Sequence, residues 1–147
     1  MANGNRIDPY LGYMFSVSIG AITNIGFREC MGLSLEVAPV EYREGNSRNL
    51  NVRKLYGLRT FQNLQFKRGI IEDRQLYLWY LEALNGNAPR RDGSITLLGQ
   101  DGEPTGWHWL FFEAFPTKWE GPSFNATANE VAIEALDIAV ERIEAQV

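Results

Sequence analysis

At 147 residues the chain is long enough for one hydrophobic core and too short for two of ordinary size. Its 45% hydrophobic and 22% charged residues match a globular composition and exclude a disordered or collagenous chain. A net charge of −4 argues against a dedicated nucleic-acid coat, which needs an excess of Lys and Arg facing phosphate. Cys30 is the only cysteine, so an intrachain disulfide and a cysteine-rich zinc site are both ruled out, and a small buried hydrophobe is its expected role. The opening, Met1 to Pro9, lacks the apolar segment of a secretory signal. The longest apolar run, Leu76 to Leu81, falls far short of a membrane span, so no stable membrane insertion is expected.

In chain order, Tyr13, Phe15, Val17 and Ile19 alternate with Met14, Ser16 and Ser18, which predicts a first strand with one drier face. A second alternation sets Leu33, Leu35 and Val37 against Ser34 and Glu36. From Ala38 to Leu58 no period is sustained, and the stretch carries charges of both signs, Glu41, Arg43, Glu44, Arg48, Arg53 and Lys54, with Gly45 and Gly57, so a long irregular loop is expected. A third strand is predicted over Thr60 to Lys67, with Leu64 and Phe66 opposite Asn63, Gln65 and Lys67. A helix follows from about Asp73 to Asn85. Asp73 suits the N-cap, Gly86 suits C′, and Leu76, Trp79, Tyr80, Ala83 and Leu84 recur at helical spacing, with Trp79 as a core anchor. Asp92-Gly93 and Asp101-Gly102 read as turns bracketing a strand at Ile95 to Leu98 that forms a hairpin with a strand from Trp107.

Trp107, Trp109, Phe111, Phe112, Phe115 and Trp119 fall on both parities of that strand, so both faces need apolar partners, one of them supplied most economically by a neighbouring chain. The segment Asn129 to Glu144 is ambiguous. Its acidic residues recur at helical spacing, which favours an amphipathic helix. Val131/Ile133 and Leu136/Ile138/Val140 each alternate as in a strand, which requires a bulge near Glu134 and Ala135.

Little in the sequence suggests reaction chemistry. The one histidine, His108, lies between two tryptophans on a predicted strand, and no phosphate-loop, dinucleotide or zinc-protease pattern occurs. No catalytic residue, cofactor or metal is expected, and no enzymatic activity.

The chain resembles the tail tube proteins of contractile phage tails and contractile injection systems. The resemblance rests on Asp8-Pro9-Tyr10 through Gly20, Phe27-Arg28-Glu29-Cys30 with Gly32-Leu33, and Val40 to Gly45. It continues through Asn63 to Gly69, Leu78-Trp79-Tyr80, Phe115 to Trp119, Gly121-Pro122-Ser123 and Asn129 to Glu134. Tyr56 departs from it, standing before Gly57 where relatives typically carry proline.

The resemblance implies a mainly β fold, a small antiparallel barrel or sandwich with one flanking helix, in a single domain over 1–147 with a long assembly loop at about 38–58. It also implies that the C-terminal segment is a strand. Hexameric rings would stack into a hollow tube, a cytoplasmically made part of a phage tail or tail-like particle. Its partners would be further copies of itself, a sheath outside, baseplate, spike and terminator proteins at the ends, and DNA or protein cargo in the lumen. Glu41, Arg43, Glu44, Arg48, Leu50, Arg53, Lys54 and Leu55 become the expected contacts between subunits and rings. Ser16, Ser18, Asn63 and Gln65 are candidates for the lumen, with core-barrel and outer-surface readings open. Trp79, Trp107, Trp109, Phe111, Phe112 and Trp119 are the packing and assembly aromatics. Two other readings are a small ligand-binding barrel lined by those aromatics and the related tube protein of type VI secretion.

Overall fold

The computed structural model describes residues 7–22, 26–87 and 89–146, so the first six residues of the opening segment lie outside it. The order is β1 (Phe15–Ile19), β2 (Glu29–Met31), β3 (Leu35–Tyr42), β4 (Arg53–Phe61), β5 (Leu64–Gly69), α1 (Gln75–Leu84), β6 (Arg91–Leu98), β7 (Pro104–Glu120), β8 (Ile133–Ala139) and β9 (Arg142–Gln146). The fold is β-rich with one helix, as expected. One antiparallel sheet runs β1-β6-β7-β8-β5-β2 with β9 beside β7, and β3-β4 form a separate two-stranded ribbon. Among the described residues no ladder joins β1 to β2, so the sheet they form is not a closed barrel.

The long strand β7 serves both halves of the sheet. Its first part lies between β6 and β9, and its last residues pair with β8. The switch comes at Glu113, which takes a left-handed φ of 54°. There the Glu113 amide donates to Asp92 Oδ1 at 2.9 Å, and the Glu113 carbonyl accepts from Arg90 Nη1 at 3.4 Å. The extra residue swaps which side chains point inward beyond it. A second register shift between Pro116 and Lys118 swaps them again.

This resolves the two-parity aromatic pattern. Phe111 is fully buried, and Trp109 and Trp119 pack against the core from opposite sides of the two shifts. Phe112 lies beneath the Arg142 guanidinium at 4.3 Å and Phe115 beneath that of Arg90 at 4.8 Å, so the chain covers much of the second face itself. Of the six, Trp107 stands out at 40% exposed, its ring stacked on Trp109 at 6.0 Å.

The core gathers Val17 and Ile19 from β1, Leu64 and Phe66 from β5, Ile95, Phe111, Leu136 and Ile138, with Leu76 and Trp79 of α1 closing one side. Each such side chain contributes about 1.5–3 kcal/mol by leaving water. Trp79 Nε1 donates to the Pro89 carbonyl at 2.9 Å, so its one polar atom is satisfied. The helix is shorter than predicted: Asp73 precedes its N-cap, Arg74, and accepts from the Gln75 amide at 3.0 Å, while Gly86 at φ 77° follows its end.

Four sequence expectations are corrected. Asp92-Gly93 is no turn but part of β6, where a Cβ on Gly93 would collide with the Phe111 ring and the Ser18 carbonyl. The turn is the one at Asp101-Gly102, with Gly102 at φ 81°. The C-terminal segment is strand, yet β8 pairs with β5 in unbroken register, so no bulge interrupts it at Glu134 and Ala135. The parity change arises because Glu134 itself faces inward, where it pairs with Arg68. The irregular loop at 38–58 is largely ribbon: β3 and β4 pair from Leu35/Phe61 to Tyr42/Arg53. The strand predicted over Thr60 to Lys67 is in fact the end of β4 and most of β5, divided at Gln62 and Asn63.

A candidate assembly surface

The ribbon continues the sheet. β2 and β3 form one run paired against β5 and β4, and the joint is a kink where Gly32, at φ 105°, comes so close to the Asn63 carbonyl that a Cβ would overlap it. Beyond the kink the chain covers neither face. All eight residues of β3 are exposed, and Leu35, Val37, Val40, Tyr42, Leu55, Tyr56 and Leu58 lie open to solvent. An isolated two-stranded ribbon is marginal in water, and one apolar on both faces requires partners on both.

The expected contact residues lie together here. Glu41 stands opposite Lys54, Tyr42 opposite Arg53 and Val40 opposite Leu55. A register shift lies between Val37 and Pro39, with Gly57 so near the Ala38 carbonyl that a Cβ would overlap it. The tip is held by its own bonds. Arg43 donates to the Ser47 carbonyl at 3.2 Å and the Asn49 carbonyl at 3.4 Å, and the Ser47 amide donates to the Glu44 carbonyl at 3.1 Å. Arg48 and Leu50 project from this turn, Leu50 at 86% exposure.

The four polar candidates separate onto two faces. Ser16 aligns with Thr96, His108 and Gln146 across β1, β6, β7 and β9, and Ser18 starts the next polar row with Ser94. Gln65 aligns with Met31 and Asp137 on the outer face of β2, β5 and β8, and Asn63 sits at the kink. His108 is thus one member of a polar strand row. Cys30 is half-buried, and burial pushes its thiol up to about 12. Among the described residues, no group of three or more His, Cys, Asp or Glu side chains is placed to hold a metal ion, and no helix is long and apolar enough to cross a membrane.

One feature escaped the sequence reading: the ion pair of Arg68 and Glu134, with Trp119 Nε1 donating to the second carboxylate oxygen at 2.9 Å. An acidic residue breaking the alternation of β8 was its signal.

A β-rich subunit with a packed interior and a ribbon left uncovered on both faces belongs to the class of self-associating structural proteins. The family model described as T4-like virus tail tube protein gp19 matches residues 12–144, and the chain belongs to that family. Among solved structures it is similar to a chain of the PVC sheath–tube complex in the extended state, from an extracellular contractile injection system. The identity is 28%, the match covers 95% of this chain and 92% of that one, and the TM-score is 0.85. A chain of the anti-feeding prophage cap, the AFP tube terminating cap, is also 28% identical, with 99% and 96% covered and a TM-score of 0.87. A type six secretion system protein, 12% identical with 91% and 83% covered and a TM-score of 0.57, shares the fold alone. No curated protein matches the chain by sequence.

Proposed function

We propose that this tail tube protein builds the inner tube of a contractile injection particle. Copies close into hexameric rings, rings stack, a sheath surrounds the tube and a terminator or cap ends it, while cargo passes through the lumen. The observation that carries this reading is the β3-β4 ribbon, apolar on both faces and uncovered by its own chain. The likeness to chains of a sheath–tube complex and a tube terminating cap supports the partners. Ring contacts close by rotation, whereas stacking contacts repeat without closing and yield a filament.

Continuity of the ribbon with β2 and β5 favours the β7-β8-β5-β2 half of the sheet as the tube wall, since strands added from a neighbour remove its exposed edge. Gln65, beside Asp137 and Met31, then lines the lumen, and Ser16 and Ser18 face elsewhere. A ligand-binding barrel fits less well, because Phe66, Phe111 and Trp79 fill the interior.

Negative-stain microscopy and sedimentation of the purified chain test the reading. Rings or hollow tubes are expected. A stable monomer at every concentration, with or without a sheath partner, would overturn it.

A further inference from the structure

The C-terminal end of α1 is held far more lightly than its middle. Trp79 is buried in the core, and its Nε1 bond to the Pro89 carbonyl fixes the chain beyond the helix. Between these two anchors none of residues 82–87 belongs to the core, and all but Ala83 are exposed. The last turn carries no basic side chain to balance the helix dipole. Backbone bonds close it instead. The Asn85 amide donates to the Leu81 carbonyl at 3.1 Å, the Gly86 amide to the Ala83 carbonyl at 3.1 Å and the Asn87 amide to the Glu82 carbonyl at 3.0 Å, with Gly86 at φ 77°.

Asn85 and Gly86 together have a chemistry of their own, and among the described residues this is the one asparagine followed by glycine. The side-chain amide of Asn85 is an acyl group one bond away from ring closure with the next backbone nitrogen, and glycine sets no Cβ beside that nitrogen. The Gly86 nitrogen attacks Asn85 Cγ and gives up its proton while ammonia leaves, so a five-membered succinimide forms without any change of oxidation state. Water then opens the ring. Cleavage of the new N–Cγ bond gives aspartate, and cleavage of the original N–C bond gives isoaspartate, with the main chain now running through the side chain.

The formed helix end blocks the first of these steps. At a ψ of 9° the Gly86 nitrogen nearly eclipses the Asn85 nitrogen, so it is turned away from Asn85 Cβ and Cγ. Its proton is also held by the Ala83 carbonyl. Ring closure requires that nitrogen to swing to the Cβ side, which breaks the Gly86 bond and the Asn87 bond after it. Breaking them uncovers no core residue, so the opening is local and costs far less than unfolding the subunit.

We propose that Asn85 is a site of spontaneous deamidation, closed while the last turn of α1 is formed and admitted each time that turn opens. The change runs one way. Aspartate places a full negative charge at a helix C-terminus, where the dipole disfavours it, three residues after Glu82. Isoaspartate adds a methylene to the main chain, so Gly86 no longer returns its N–H to Ala83. The modified subunit keeps its core and an open helix end. The site belongs to the folded chain itself and stands whether or not copies assemble.

The test is peptide mapping of the full-length folded chain, aged in mildly alkaline buffer made with heavy-oxygen water, beside the same chain unfolded in urea. One heavy oxygen and a mixture of aspartate and isoaspartate are expected at residue 85, formed about 10- to 100-fold more slowly in the folded chain. Leu84→Lys, at a side chain 62% exposed, puts a cation in the last turn and should lower the folded-to-unfolded ratio of rates roughly two- to fivefold. Gly86→Ala should slow the reaction in both states, because its methyl group crowds the attacking nitrogen. A folded chain with no heavy oxygen at residue 85 after the unfolded chain has fully reacted would overturn the proposal, and so would equal rates in the two states. A ratio unmoved by Leu84→Lys would remove the gating by the helix end, and a Gly86→Ala chain that reacts as fast as wild type would remove the ring mechanism.

Discussion

Arg68 of β5 and Glu134 of β8 face each other across the ladder and form an ion pair inside the fold, at 1% and 5% exposure. Arg68 Nη2 also donates to the Asp73 carbonyl at 2.8 Å, so the pair ties β5, β8 and the approach to α1 together. Removing Glu134 leaves the buried Arg68 guanidinium with only the more distant Asp73 carboxylate, 3.8 Å from Nη1, to balance its charge. Glu134→Leu is therefore expected to cost about 3–5 kcal/mol in urea unfolding, whereas Arg68→Met/Glu134→Leu should recover much of that loss. A single variant as stable as wild type would show that the pair contributes nothing.

Glu113 offers the opposite case, a position where substitution should help. Its φ of 54° is disfavoured for any residue with a Cβ, and its neighbours Asp92 and Arg90 hold it there. Glu113→Gly is expected to stabilise the subunit by about 0.5–1 kcal/mol and raise the thermal midpoint, because the left-handed strain relieved, about 1–2 kcal/mol, exceeds the entropy that Gly adds to the unfolded chain, about 0.4–1 kcal/mol. Asp92→Ala should lower the midpoint by freeing the Glu113 amide. A destabilised Glu113→Gly chain would mean that the carboxylate itself matters more than the strain.

The aromatics of β7 should divide by burial. Phe111→Ala, in the packed interior, is expected to cost about 3–5 kcal/mol and unfold much of the population. Trp107→Ala removes a ring that is 40% exposed and should leave a folded subunit. Equal loss of the circular dichroism signal in both would contradict the assignment of Trp107 to the surface.

Cys30 and His108 should both be dispensable: Cys30→Ser and His108→Ala are expected to keep tube formation. Burial raises the Cys30 thiol to about 12, so the native protein keeps it protonated at pH 9 and above, while the unfolded chain releases its proton near 9. The native state binds the extra proton in that window. Wild-type stability should therefore fall relative to Cys30→Ser as pH rises from about 9 towards 12, and the difference between the two should stay constant below about 9. A gap that widens towards acid pH would contradict the burial of the thiol.

What the sequence disclosed follows from where each residue's partner sits. Val17 and Ile19 were legible because their partners lie within the chain, so one face of β1 is dry and the other wet. The β3-β4 ribbon read as an irregular loop because the chain covers neither face, leaving no inside and outside for an alternation to record. Gly93 passed for a turn residue because a glycine required by the approach of Phe111 looks the same in sequence as one required by a positive φ. Glu134 broke the pattern of β8 because its partner, Arg68, is far away in sequence. The residues expected to make contacts lie along and beyond one ribbon, and the pairing of those in its strands depends on the shift at Val37/Pro39 that only the ladder reveals.

The central claim is that the ribbon serves assembly and not the fold of the subunit. It is tested most directly by replacing residues 43–52 with a two-residue turn and reversing Lys54, then measuring thermal unfolding and tube formation on the same sample. The account expects a subunit with an unchanged midpoint and circular dichroism that forms no tubes by electron microscopy. Tubes of normal length from that chain, or a subunit that no longer folds, would contradict it.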